Sequence, residues 1–181
     1  MRIAVVLRAI IAAVGVVGVV GCGTTVDGAA TTPTIAGESD GAELFNPCSE
    51  VPDEWLRETG LDPATKTVTT DPQGESTWRI CGWYAVDGPY RVDIISTSHT
   101  QAESRANAKL TGFQDVALGS RSGLIYKDKS DELELSCYVS LPAQQGMFEI
   151  AVGWRASQPV TADRCELAVE HAKDLEPHLP R

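Results

Sequence analysis

Aromatic side chains make up only 6% of this 181-residue chain, and histidine occurs three times. Basic residues are outnumbered, 15 Lys and Arg against 25 Asp and Glu, for a formal charge of −10. Such a surface repels nucleic acid and anionic headgroups, and no Lys/Arg cluster overrides the average, so nucleic-acid binding is excluded. No C-x-x-C pair occurs, which removes the usual zinc-ribbon and thioredoxin patterns. Neither glycine-rich phosphate-loop pattern is present. His99, His171 and His178 lack metal-ligand spacing and are expected as solvated surface residues, so no metal and no cofactor is implied. The segment Gly119-Ser120-Arg121-Ser122-Gly123 superficially matches a nucleophile elbow, but that motif needs Ser where Arg121 stands; it reads as a turn between strands. The spacing singles out no carboxylate pair for glycoside hydrolysis.

What is present begins with a leader over 1–21. Arg2 and Arg8 form a short positive region, and from Ala9 to Gly21 the chain is only Ala, Val, Ile and Gly. The run ends at Val19-Val20-Gly21-Cys22. Small residues let the backbone enter a signal peptidase, and the Cys22 thiol is the nucleophile that accepts a diacylglycerol. Two acyl chains, at about 0.8 kcal/mol per buried methylene, hold a protein firmly on a membrane. A transmembrane span needs about 20 apolar residues, and Arg8 together with repeated glycine argues against one here. The expectation is an exported chain cut before Cys22 and anchored through it. Loss of Arg2 and Arg8 leaves 13 basic residues against 25 acidic, a formal charge near −12.

A Thr/Gly/Ala-rich tether follows over 22–43. Val26 and Ile35 are its only large aliphatic residues, so it cannot bury enough apolar surface to offset its ordering entropy. Its root-mean-square reach is about 25 Å. A single globular domain is expected over 44–181, long enough for one ordinary core.

Within that domain a helix is expected over 47–59, with Pro52 in its first turn and Gly60 as a left-handed cap. A marginal strand over 66–70 leads through the Asp71-Pro72-Gln73-Gly74 turn into a strong strand over 77–86. There Trp78, Ile80, Tyr84 and Val86 share one face and Cys81, Trp83 and Ala85 the other. Asp87-Gly88 turns the chain into a strand over 90–96. A helix over 101–110 opens on a capping box, Thr100 with Glu103. Strands over 114–118, 123–127, 132–141 and 147–154 complete the sheet. In the third, Leu133, Leu135, Cys137, Val139 and Leu141 share a face; in the fourth, Phe148, Ile150, Val152 and Trp154 do. Thr161 is expected to cap a last helix reaching Leu175, with an apolar stripe of Ala162, Cys165, Val169, Ala172 and Leu175. The fold class is α+β: an antiparallel sheet with helices packed on it.

Four cysteines remain after Cys22, and an even number in an exported domain implies disulfides, with three connectivities available. The element assignments favour Cys48–Cys81 and Cys137–Cys165, each joining a helix to a strand. Each closes a loop of about 30 residues, for roughly 3–4 kcal/mol of stabilisation. As for ligands, Trp83 and Tyr84 are adjacent and so point to opposite faces. The exposed one, near Asp93, could stack on a sugar or line a small apolar pocket.

Phe45-Asn46-Pro47-Cys48, the Gly60-Leu61-Asp62-Pro63 turn and Cys81-Gly82-Trp83 together resemble the actinobacterial lipoproteins grouped as domain of unknown function 3558, which include mycobacterial Lpr-type lipoproteins. The resemblance covers most of 44–175, its sharp motifs all lying before Val86. It implies a lipid-anchored place on the outer face of the cell membrane, supports pairing Cys48 with Cys81, and supplies no catalytic residues. The leading functional expectation is a non-catalytic binding or interaction domain, with the membrane and an envelope protein, lipid or glycan as partners. A lipid or carbohydrate carrier with a defined pocket is the alternative, and an envelope hydrolase a more distant one.

Overall fold

Strict alternation in the C-terminal strands decides which side of the sheet becomes core. The computed structural model describes residues 43–181; the leader, Cys22 and the tether up to residue 42 lie outside the described residues. Seven strands form one antiparallel sheet: β1 (Thr67–Thr70), β2 (Trp78–Tyr84), β3 (Tyr90–Thr97), β4 (Leu110–Leu118), β5 (Arg121–Asp128), β6 (Ser136–Ala143) and β7 (Gly146–Trp154). Their spatial order is β1-β2-β3-β7-β6-β5-β4. Two meanders, β1 to β3 and β4 to β7, therefore meet at the β3–β7 seam.

One face carries Cys81, Trp83, Val92, Ile94, Phe148, Ile150, Val152, Val139 and Leu141, all at most 1% exposed and joined in one cluster. Two helical layers cover this face. Over one half lie α1 (Pro47–Glu50) and α2 (Asp53–Glu58), over the other α4 (Arg164–Leu175). The disulfides staple each layer to its strand: Cys48–Cys81 ties α1 to β2, and Cys137–Cys165 ties α4 to β6, with Cα separations of 5.2 and 5.1 Å. Both are the pairs the element assignments favour.

The remaining helix, α3 (Gln101–Ala106), belongs to the connection from central β3 to edge strand β4. That connection must pass four strand spacings, about 19 Å. It crosses the opposite face of the sheet at one end only. On the way Gln101 Nε2 donates to Ser140 O, Ser140 Oγ and Ser122 O, each at 3.1 Å.

Local capping follows the sequence in several places. Gly60 has φ +76°, and Leu61 N–H donates to Leu56 O (2.8 Å) while Gly60 N–H donates to Arg57 O (3.1 Å). This is a Schellman ending, with Leu56 and Leu61 both buried beneath it. The Thr100–Glu103 capping box is formed.

Other expectations are corrected. The helix over 47–59 is two helices, because Pro52 holds Val51 in an extended conformation (ψ 113°). The helix over 101–110 stops at Ala106: Asn107 turns the chain by accepting Lys109 N–H, and Leu110 pairs with Asp128. Strand β6 begins at Ser136, not residue 132. Asp131 accepts Ser136 N–H and Glu134 takes a left-handed φ of 49°, so a turn occupies that stretch and Leu133 is 71% exposed. The last helix is capped by Asp163, whose carboxylate accepts Cys165 and Glu166 N–H, and Ala162 lies exposed before it. Its buried face is Ala168, His171, Ala172 and Leu175.

His171 is thus a core residue and not a surface one, for a geometric reason. Thr59 Oγ1 lies 2.7 Å from His171 Nδ1 and donates to Asp174 Oδ2 at 3.0 Å. A hydroxyl has one proton, so Nδ1 carries the hydrogen and Nε2 accepts from Tyr90 OH at 3.2 Å. The chain Tyr90–His171–Thr59–Asp174 bolts β3, α2 and α4 together. Burial lowers the His171 pKa below the ordinary histidine value.

Candidate functional site

Because α3 covers only one end, the second face of the sheet is left half open. Its residues follow from the register. The row Ile80–Ile95–Glu149–Ser140–Leu124 lies beside α3, and its last four members are buried. Next comes Gly82–Asp93–Ala151–Tyr138–Tyr126, and then Tyr84–Arg91–Gly153–Ser136. Among the described residues no helix lies over the last row, all four members of which are half-buried.

Two polar arrangements sit on this face. Arg91 and Asp93, two residues apart on β3, form an ion pair with Nη2 to Oδ1 at 2.5 Å, and Arg91 also donates to Thr69 Oγ1 at 2.6 Å. They reach across Gly82, where an added Cβ would run into Asp93 Oδ1 and Arg91 Nε. Glycine is therefore needed at the middle of Cys81-Gly82-Trp83 to seat the pair. Burial raises the Asp93 pKa, and the Arg91 charge opposes that rise. Deeper in, Tyr126 OH donates to Glu149 Oε1. Burial pushes the Glu149 carboxyl up, and the Tyr126 bond and the His99 charge only partly offset it. Burial likewise raises the phenols of Tyr126 and Tyr138.

Aromatic rings line the same region. Tyr126 and Tyr138 stack with centroids 5.7 Å apart and planes within 4°. The Arg155 guanidinium caps the Tyr84 ring at 4.1 Å.

Of the three ligand candidates read from sequence, Tyr84 and Asp93 share this open face. Trp83 does not: it is 1% exposed in the core, because the strand's alternation turns it under the helices with Cys81. Arg91, Tyr138 and Gly153 were missed. Their signal is only that they occupy the same register as Tyr84 and Asp93, which a single sequence does not reveal.

Open clefts lie elsewhere. One of about 1050 Å³ at the start of the domain is lined by Leu44, Asn46, Asp71, Arg79 and Gln145. The Arg79 guanidinium there is occupied in holding the β1–β2 loop through Asp71 Oδ1, Pro72 O and Gly74 O. A second, of about 670 Å³, runs between α4 and the β4–β5 edge. Among the described residues no group of three or more His, Cys, Asp or Glu is placed to hold a metal ion.

Comparison with known families adds one fact. A family model matches residues 17–178. The chain belongs to the family described as Protein of unknown function (DUF3558). No curated protein and no solved structure matches it. Three short motifs of this DUF3558 chain now have physical roles: Cys48 and Cys81 form a staple, Gly60-Leu61 ends α2, and Gly82 makes room for the Arg91–Asp93 pair.

Proposed function

We propose that this DUF3558 protein is exported, held at the outer face of the cell membrane by lipid on Cys22, and presents its domain as a non-catalytic binding module. The contact surface in this reading is the open half of the sheet. The observation that carries it is the uncovered row Tyr84–Arg91–Gly153–Ser136 beside Asp93 and Tyr138, on the sheet face opposite the one that holds the main apolar cluster. A polar, aromatic surface held by disulfide-stapled strands is rigid without being apolar, as suits reversible binding. Two disulfides accord with an oxidising compartment, and the acidic surplus suits solubility beside anionic lipid. A binding role is favoured over catalysis because Asp93 and Glu149 are each engaged by a protein partner, Arg91 and Tyr126. It is favoured over a carrier because the clefts named above are open rather than enclosed.

Two measurements test this. Mass spectrometry of the N-terminal peptide from membranes should find Cys22 as the first residue, carrying diacylglycerol; an N-terminus retaining residues before Cys22 refutes the anchor. A photo-crosslinking amino acid at Gly153 in the full chain should capture an envelope component that one at exposed Lys129 does not. Equal capture at both positions, or none at either, refutes the assignment of the surface.

A further inference from the structure

We infer that the open face takes a neutral saccharide, seated over Gly153 between the Tyr138 ring and the Arg91–Asp93 pair. This rests on the reading of that face as the binding surface and names its ligand class.

The geometry comes from three adjacent strands. β3 and β6 flank β7, so Arg91 and Asp93 stand about 10 Å, two strand spacings, from Ser136 and Tyr138. Between them lie only Ala151 and Gly153. Ala151 is 7% exposed, whereas Gly153 is half-buried and a Cβ added there would meet no atom within 4 Å. The vacant volume is thus above Gly153, with the Arg155-capped Tyr84 ring closing the far side of the same row.

The walls define the chemistry. Tyr126 occupies one face of the Tyr138 ring. β5, which carries Tyr126, and β7, which carries Gly153, lie on opposite sides of β6, so the ring face not stacked on Tyr126 is the one left for a ligand over Gly153. The face of an aromatic ring carries negative potential and attracts the polarised C–H groups on the flat side of a sugar ring. Across the slot, Asp93 only accepts hydrogen bonds and Arg91 only donates them. A hydroxyl does both, so neighbouring hydroxyls of one sugar match carboxylate and guanidinium at once. The pair is neutral as a unit. An anionic ligand would meet Asp93 and a chain of formal charge −10, and a cationic one would meet Arg91 and Arg155. Because Arg91 is already held by Thr69 and Asp93, little ordering of its side chain is left to do on binding.

The test is calorimetric titration of the full chain in detergent with neutral gluco-, galacto-, manno- and arabino-oligosaccharides, and a sulfated oligosaccharide for contrast. At least one neutral oligosaccharide should bind with a dissociation constant of about 1 mM or tighter, the sulfated one more weakly. Tyr138→Ala and Asp93→Asn should each weaken binding about tenfold or more. Gly153→Trp should abolish it while leaving thermal unfolding near that of the parent, since its Cβ meets no atom within 4 Å and the row above it is uncovered; this variant keeps the test decisive if Tyr138→Ala fails to fold. Absence of binding by every neutral oligosaccharide overturns the inference, as does unchanged binding in Gly153→Trp or tighter binding of the sulfated sugar. If the Gly153 crosslinker captures a protein while the oligosaccharides do not bind, the binding surface stands and only the ligand class falls.

Discussion

Arg121 gives the sharpest test of how this fold is held. The residue that spoils a nucleophile elbow is buried where the β4–β5 turn meets the end of α4. Its side chain and that of Glu176 are 4% and 6% exposed, with Nε 3.2 Å from Glu176 Oε1. The guanidinium also donates to Glu176 O (3.4 Å), Leu179 O and Pro142 O (3.4 Å). It thereby satisfies carbonyls that a helix C-terminus leaves unpaired. Gly119 is required beside it, because φ there is +56° and a Cβ would strike Glu176 Oε2.

Replacing Arg121 by Met leaves the Glu176 carboxylate buried with only the Ser120 hydroxyl (3.2 Å) and the distant, exposed Arg181 (4.0 Å). Breaking a buried pair in this way costs about 3–5 kcal/mol. The double variant Arg121→Met/Glu176→Met removes the stranded charge, leaving a loss of about 1–3 kcal/mol for the unpaired carbonyls. Urea unfolding with disulfides intact, followed by the fluorescence of the four tryptophans, measures both. A single variant costing under about 1 kcal/mol, or a double variant no better than the single, would refute the assignment.

Other expectations follow from the buried groups. Glu149→Gln should stabilise the protein at neutral pH: the folded carboxyl titrates above the unfolded value of 4.5, so the parent loses stability as pH rises from there, and the variant's advantage should vanish near pH 4 in denaturation curves. His171 works in the opposite direction. Its folded pKa lies below 6.5, so stability should fall as pH drops through that value, and NMR titration of the ring should show the depressed midpoint. Replacing Cys48 and Cys81 together by Ala should cost about 4 kcal/mol, and Cys137 with Cys165 slightly less, because the loops close over 33 and 28 residues. Thermal scans of the two double variants check the order.

Local chemistry was legible at several self-contained places, though not at the Pro52 break or at the Asp163 cap. The Thr100–Glu103 box, the Gly60 ending and the alternation of Phe148, Ile150, Val152 and Trp154 each need only neighbours in sequence, and all are formed. Disulfide pairing was readable because each bridge joins elements whose buried faces show in the sequence. The reading of residues 1–21 as a leader cut before Cys22 is an expectation from sequence and lies outside the described residues.

Other features depend on residues distant in the chain. Leu110 looks helical until Asp128 pairs with it. Burial of His171 requires Thr59 and Tyr90, 112 and 81 residues away. Above all, a strand's alternation says that Trp83 and Tyr84 face opposite ways but not which side the helices will cover. The placement of α1, α2 and α4 on the Trp83 side decided that, because the larger continuous apolar face had to leave water. The sheet's other half was left open over Gly153.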